Sequence, residues 1–330
     1  MRSLALAKRW SLGWRLLAGA ASLALAAGPA GCVKKVLVDG EIESTRRASD
    51  AFDTIGDYEL ARSAAQAGLV QFEGMHALAP ENEDALFLLV KGWTGYGFGF
   101  VEDEMESAED AGDEDGAEYQ RQRARMAYDR AVFYGLRALA ARAEGFDQAK
   151  RSEQELSRWL GAHFTSKEDV PALFWTGNAW ALRVDLMKGD DQEGPAFVAE
   201  LFVGVALLER ASALDPAYEH FGALAALAAY HARSNVAELD QSRQLFDDAL
   251  SRTEWKSLLV PLLYATKYAC MKGDGPLYQD LLNRVLQAQD PDPYQRLSNA
   301  IAKRRAKRWL GKRRAREACG IDLARPAPTK

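Results

Sequence analysis

The most reactive group offered by this chain is the thiol of Cys32. It follows Ala30-Gly31 directly, at the end of an apolar run. That order matches the end of a bacterial lipobox, where the cysteine sulfur is acylated and becomes the new first residue. Pro29 stands where Leu is usual, three residues before the cysteine. Upstream, Arg2, Lys8, Arg9 and Arg15 precede the apolar core Leu16–Ala27, and no acid occurs in residues 1–31. A basic start, a short apolar core and a small-residue end describe an export signal. The core is 12 residues long, too short to span a bilayer, and Gly28-Pro29 breaks a helix. We therefore expect a signal peptide over 1–31, lipidation at Cys32, a tether over 32–41, one helical-repeat domain over 42–320 and a tail over 321–330. Val33 follows the cysteine where an Asp would favour inner-membrane retention, which favours the outer membrane. After acylation only Cys270 and Cys319 remain, free to pair outside the cytoplasm or to stay apart.

Two aromatic segments carry binding chemistry. In the first, Gly95, Gly97 and Gly99 alternate with Tyr96, Phe98 and Phe100 after Trp93. A glycine inside a helix costs about 1 kcal/mol relative to Ala, so three in five residues need a compensating reason. One is close helix packing. The other is room for a ligand against aromatic walls. The second segment holds Trp175, Asn178 and Trp180. Trp175 and Asn178 share a helix face at a spacing of three, and an amide beside an indole suits a polar ligand group. Core packing explains the same residues equally directly.

Enzyme chemistry is missing where it would be easy to see. The chain has no Gly-x-Ser-x-Gly elbow, no Walker loop and no His-Glu-x-x-His. His220 and His231 share a face of one expected helix but stand about 16 Å apart along it, too far for one metal. Asp113-x-Asp115-Gly116 lacks the flanking ligands of a calcium loop and reads as an acidic turn. No cofactor or metal is expected. Removing residues 1–31 takes away four basic residues and no acid, so the formal net charge falls from −5 to −9. Such an acidic body argues against nucleic acid as a partner.

Two charge blocks oppose each other. Residues 102–118 contain ten acids, and residues 303–316 contain nine bases. Ile301, Ala302, Ala306, Trp309 and Leu310 keep the basic block amphipathic. Its candidate partners are anionic lipid, the acidic block of a neighbouring subunit, a partner protein, or water alone.

These residues must be positioned by helices. Ala, Leu, Arg, Glu and Gln dominate, and β-branched runs are scarce. The spacing predicts about twelve helices, near 42–55, 57–79, 82–104, 116–144, 146–162, 170–188, 195–214, 217–233, 239–252, 256–271, 275–288 and 292–318. Phe174, Gly177, Ala181 and Val184 recur as an inward stripe. Short helices joined by short turns predict an all-α fold of stacked hairpins, with a plain bundle as the alternative. Gly56, Gly68, Phe72 and Pro80 fit a tetratricopeptide pattern. Gly204, Leu208, Ala211 and Pro216 fit it again, and Ser242, Phe246 and Ala249 fit in part.

Three stretches together resemble the TatT family, the tetratricopeptide-like lipoproteins associated with TRAP transporters. They are Arg46–Phe52 followed by Leu86–Phe100, then Leu173–Trp180, then Arg296–Ala306. The resemblance implies an all-helical periplasmic protein with a cleft or pore, open to assembly as a homo-trimer. It also implies docking of a TRAP-transporter substrate-binding protein and assisted uptake of a small organic acid or hydrophobic solute. On this reading Trp93, Tyr96, Gly97, Phe98, Trp175, Asn178 and Trp180 are the cleft candidates. The competing expectation is a general envelope scaffold without a small-molecule ligand.

Overall fold

A computed structural model describes residues 30–233, 238–289 and 292–323. The expected signal peptide lies almost wholly outside the described residues, as does the side chain of Cys32. Every regular element among the described residues is helical. In chain order they are α1 (Ala30–Ala48), α2 (Tyr58–Leu78), α3 (Glu83–Tyr96), α4 (Glu102–Ala111), α5 (Glu114–Ala140), α6 (Phe146–Ala149), α7 (Glu153–His163), α8 (Val170–Met187), α9 (Gly194–Ala199), α10 (Leu201–Leu214), α11 (Tyr218–His231), α12 (Leu239–Thr253), α13 (Leu259–Leu263), α14 (Cys270–Lys272), α15 (Gly275–Gln287), α16 (Arg296–Trp309) and α17 (Lys312–Cys319). No described helix is long and apolar enough to cross a membrane.

Local chemistry explains most boundaries. Asp57 caps α2 by accepting from the amides of Glu59 and Leu60, both at 3.0 Å. Asn82 caps α3 through Ala85, and Ser152 caps α7 through Glu155. Pro171 sits in the first turn of α8, where its missing N–H costs nothing. The acidic turn is a helix junction: Gly112 takes φ +74° to close α4, and Asp113 then caps α5. Residues 32–41 lie within α1, and the 3-10 turn Ser49–Thr54 follows it.

Three departures from regular α-helix were not expected. A π turn, Gly97–Val101, joins α3 to α4, and a second, Tyr264–Ala269, joins α13 to α14. In α11, Glu219, His220 and Phe221 are left-handed, with φ of 47°, 53° and 62°. The straight helix assumed over 217–233 is therefore bent at its start. Left-handed backbone costs L-residues roughly 1–2 kcal/mol each, so packing must hold this turn in place.

Neighbouring helices stack in sequence: α2 on α3, α3 on α5, α5 on α8, α8 on α10, α10 on α11, and α11 on α12. α16 then returns to α2 and to the 3-10 turn after α1, so the first and last units meet. The closest crossing is α8 on α10. A Cβ on Gly177 would lie 3.0 Å from the Gly204 carbonyl oxygen, and a Cβ on Gly204 would meet the Gly177 carbonyl at 3.1 Å. Gly204 of the repeat pattern thus serves backbone contact. Phe246 and Ala249 of the partial repeat are fully buried. Cys270 and Cys319 form a disulfide, which ties α17 to the end of the second π turn.

Gly177→Val forces a branched side chain into this crossing. We expect a loss of about 1–3 kcal/mol, the usual cost of overpacking, measured by urea unfolding. An unchanged midpoint would show that α8 and α10 can separate freely.

Candidate functional site

A cavity of about 1220 Å³ lies within the ring of helices. It exceeds the roughly 300–1,000 Å³ of most small-molecule pockets. α8 is its spine. Phe174, Trp175, Asn178, Ala181, Asp185 and Lys188 face it in turn, at steps of one, three or four residues. From Trp175 to Lys188 this stripe runs about 20 Å, at 1.5 Å per residue. The rest of the wall includes alanines of α11, leucines of α13, and Leu69 and Phe72 of α2. The wall reaches exposed residues at both ends, Ala48 and Tyr294 at one and Gly189 and Met271 at the other.

Tyr96, Phe98, Trp175 and Asn178 all line this space. The Tyr96 hydroxyl accepts from Arg123 Nη2 at 2.6 Å, which fixes its ring at the wall. Phe98 stacks beneath the Arg305 guanidinium at 4.6 Å. Trp175 donates to the Tyr218 hydroxyl at 3.2 Å and packs edge-on against Phe174. The Asn178 amide has no hydrogen-bond partner among the described residues.

Trp93, Gly97 and Trp180 do not line the cavity. Trp93 points between α2 and α5, donating to Glu73 Oε1 at 2.9 Å beneath the Arg130 guanidinium. Trp180 is buried beside Phe146 in the core around α7 and α8. Gly97 makes room for a neighbour, since a Cβ there would lie 2.8 Å from the Tyr128 ring. Gly99 does the same for Ile301, while Gly95 faces the cavity. The glycine run therefore serves both packing and space. A regular α-helix would have carried it round differently; the π turn adds a residue and resets the faces.

Charged groups mark the two ends. At one, Lys91 Nζ sits 2.9 Å from Asp53, 3.8 Å from Glu219 and 3.9 Å from Asp50. Burial alone would lower the Lys91 pKa, but Glu219 and Asp53 outweigh it and hold it above the ordinary lysine value. The left-handed turn of α11 is what brings Glu219 here. At the other end, Lys267 Nζ lies 2.7 Å from Asp185, which also receives Lys188 at 2.7 Å. Glu102 and Arg305 complete this end. None of these groups was singled out from the sequence. The available signal was a lone Lys inside an apolar run: Lys91 within Leu86–Val101, and Lys267 within Leu258–Cys270.

The two opposing charge blocks meet within this one chain. Asp103 receives Arg304 at 2.6 Å and also Arg308, while Glu106 receives Arg305 and Arg308. Arg314 bonds Asp110 at 2.8 Å and Glu109 at 3.1 Å. Lipid, a neighbouring subunit and a partner protein are therefore not needed to neutralise the basic helix. Asp103 and Glu106 are nearly inaccessible, at 1% and 5%. Burial pushes the Glu106 carboxyl up, but Arg305, Arg314 and Arg308 hold it below the usual range. Asp103 follows the same balance, with Arg308 and Arg304 prevailing. Glu102 goes the other way, because its burial outweighs Arg305 and the Tyr128 hydroxyl.

A carboxyl whose folded pKa lies below its unfolded value stabilises the fold above that unfolded value, near pH 4, and loses this as pH falls. Asp103 and Glu106 should thus drive acid destabilisation, with Glu102 opposing it in part. Arg305→Met leaves buried carboxylates short of a guanidinium, and we expect a loss of about 3–5 kcal/mol at pH 7. The gap to wild type should narrow in urea unfolding at acid pH. A gap that is equal at pH 7 and pH 3 would contradict this account.

No curated protein matches the chain. The family described as TAtT, TRAP transporter T-component, matches residues 55–315, which contain every charged and aromatic group placed at the cavity above except Asp50 and Asp53. Coverage of that extent shows that the chain belongs to the TRAP transporter T-component family.

Proposed function

We propose that this T-component is a non-enzymatic periplasmic lipoprotein that docks a TRAP substrate-binding protein and holds or passes a small organic acid or hydrophobic solute through its cavity. The observation that carries this reading is the long apolar cavity, with Tyr96, Phe98, Trp175 and Asn178 in its wall and exposed residues at both ends. Aromatic faces and an unpartnered amide are the features of a ligand site rather than of a filled core. Residues 42–320 would act as one helical body, tethered to the outer membrane through Cys32 and assembling as a homo-trimer.

Membership of the family supports a TRAP-associated role, and a component of a transporter needs no catalytic group. Asn178→Ala and Trp175→Ala should lower solute binding while thermal stability falls little for the first. Trp175→Ala is the harsher change, since it also removes the bond to Tyr218. Binding is measured by calorimetry with the solute carried by the cognate binding protein, and docking by co-purification. Unchanged solute affinity in both variants would leave only a scaffold role.

The anchor is tested separately. Cys32→Ser should move the protein from the membrane fraction to the soluble periplasmic fraction. A variant that stays with the membrane as fully as wild type would remove lipidation from the reading.

A further inference from the structure

Lys267 and Asp185 lie deep inside the ring of helices, yet their side chains keep 36% and 41% of their accessible surface. Both line the cavity, so the surface they expose is that of the cavity. The Lys267 ammonium has three N–H donors. Asp185 takes one, and no second acceptor lies within hydrogen-bond range among the described residues. Asp185 keeps Lys188 as another partner. The pair therefore has cationic donors to spare, and removing Lys267 does not strand Asp185. Lys267 also sits in the π turn Tyr264–Ala269, an irregularity that often marks functional segments.

The opposite end is built differently. Of the wall residues there, Lys91 stands against Asp53 and Glu219, two carboxylates for one ammonium. Among the wall residues, the Lys267 end sets Lys188, Lys267 and Arg305 against Asp185 and Glu102. One end thus has more carboxylates than ammonium groups, while at the other Lys188 and Lys267 share Asp185, and Arg305 is taken up by Glu102 and Glu106. In an apolar enclosure such fields are weakly screened. From Asp185 to Trp175 the wall is α8, about 15 Å of it, and its inner face there is mostly apolar.

We propose that Lys267 anchors the single anionic group of an elongated amphiphile, a carboxylate whose apolar body lies along α8 toward Trp175. This rests on the reading of the cavity as a ligand site and adds the ligand's charge and its direction. A ligand anionic at both ends is disfavoured, because its second charge would face Asp53 and Glu219. A cationic amphiphile would enter with the opposite orientation or not at all.

The test uses the purified chain with dodecanoate, dodecanol and dodecyltrimethylammonium, each below its micellar concentration, titrated by calorimetry. Dodecanoate should bind at least about tenfold more tightly than dodecanol, a difference of about 1.4 kcal/mol. Lys267→Met, which keeps an apolar stem, should abolish that preference and leave dodecanol affinity and the melting temperature near wild type. Lys267→Arg should retain the preference. Equal affinity of wild type for dodecanoate and dodecanol overturns the assignment. So does a preference that survives Lys267→Met, or one abolished only by Lys91→Met. If none of the three probes binds, the ligand reading of the cavity itself fails, and this assignment with it. Dodecanol binding without a carboxylate preference removes the Lys267 assignment alone.

Discussion

The carboxylates of α4 are buried against the guanidiniums of α16 and α17, and the enclosure of the cavity depends on that contact. A stack of helix pairs has two free ends. Here the last unit folds back onto the first, and Asp103, Glu106, Asp110, Arg304, Arg305, Arg308 and Arg314 join them. Buried ion pairs bring little net stability, since desolvation offsets most of their attraction. What they bring is direction. An arginine fork aligned on two carboxylates accepts one register between the helices, whereas an apolar seam would accept several. Ile301 beside Gly99 and Leu297 in the same core patch supply the apolar part of this seam.

Closure has a consequence for the interior. The space inside a closed ring keeps whatever polar groups the inner faces carry. α8 is the clearest case. One side packs on α5, another crosses α10 through Gly177 and Gly204, and the third is left to the cavity. Its inner stripe ends in charge at Asp185 and Lys188, and α3 brings Lys91 to the other end. Both π turns lie on this inner surface, with Phe98 and Phe100 in one and Thr266 and Lys267 in the other. The strained turn Glu219–Phe221 lies there too. These three departures from regular helix thus lie at the wall, where side chains must be aimed away from the packing faces.

The disulfide acts near the same seam, and both of its cysteines stand in the cavity wall. Cys270 follows the π turn that holds Lys267, and Cys319 ends α17, whose Arg314 reaches α4. One covalent link and one ionic network therefore fix the same terminal helix. Trp309 completes the junction, with its indole donating to Glu106 at 3.3 Å and its carbonyl accepting from the Tyr278 hydroxyl.

Helical periodicity, capping residues and the scarcity of β-branched runs determined the all-α architecture from the sequence alone. These signals are local, and Asp57, Asn82, Asp113 and Pro171 act within one turn of themselves. Tyr96, Phe98, Trp175 and Asn178 stood out in the sequence, but core packing and ligand space explained them equally, and it is the tertiary structure that puts them in the cavity wall. Their neighbours Trp93, Gly97 and Trp180 looked the same in sequence and face elsewhere. Which way a side chain points depends on helix phase, and the π turn at Gly97–Val101 shifts that phase without a sequence mark. Both charge blocks were visible as blocks, but not as partners within one chain: about 200 residues separate Glu106 from Arg305 and Arg308. The meeting of Lys267 with Asp185 was hidden for the same reason, and the pairing of Cys270 with Cys319 stayed open until the structure joined them. Each is a contact between distant segments, and only ring closure decides which distant segments become neighbours.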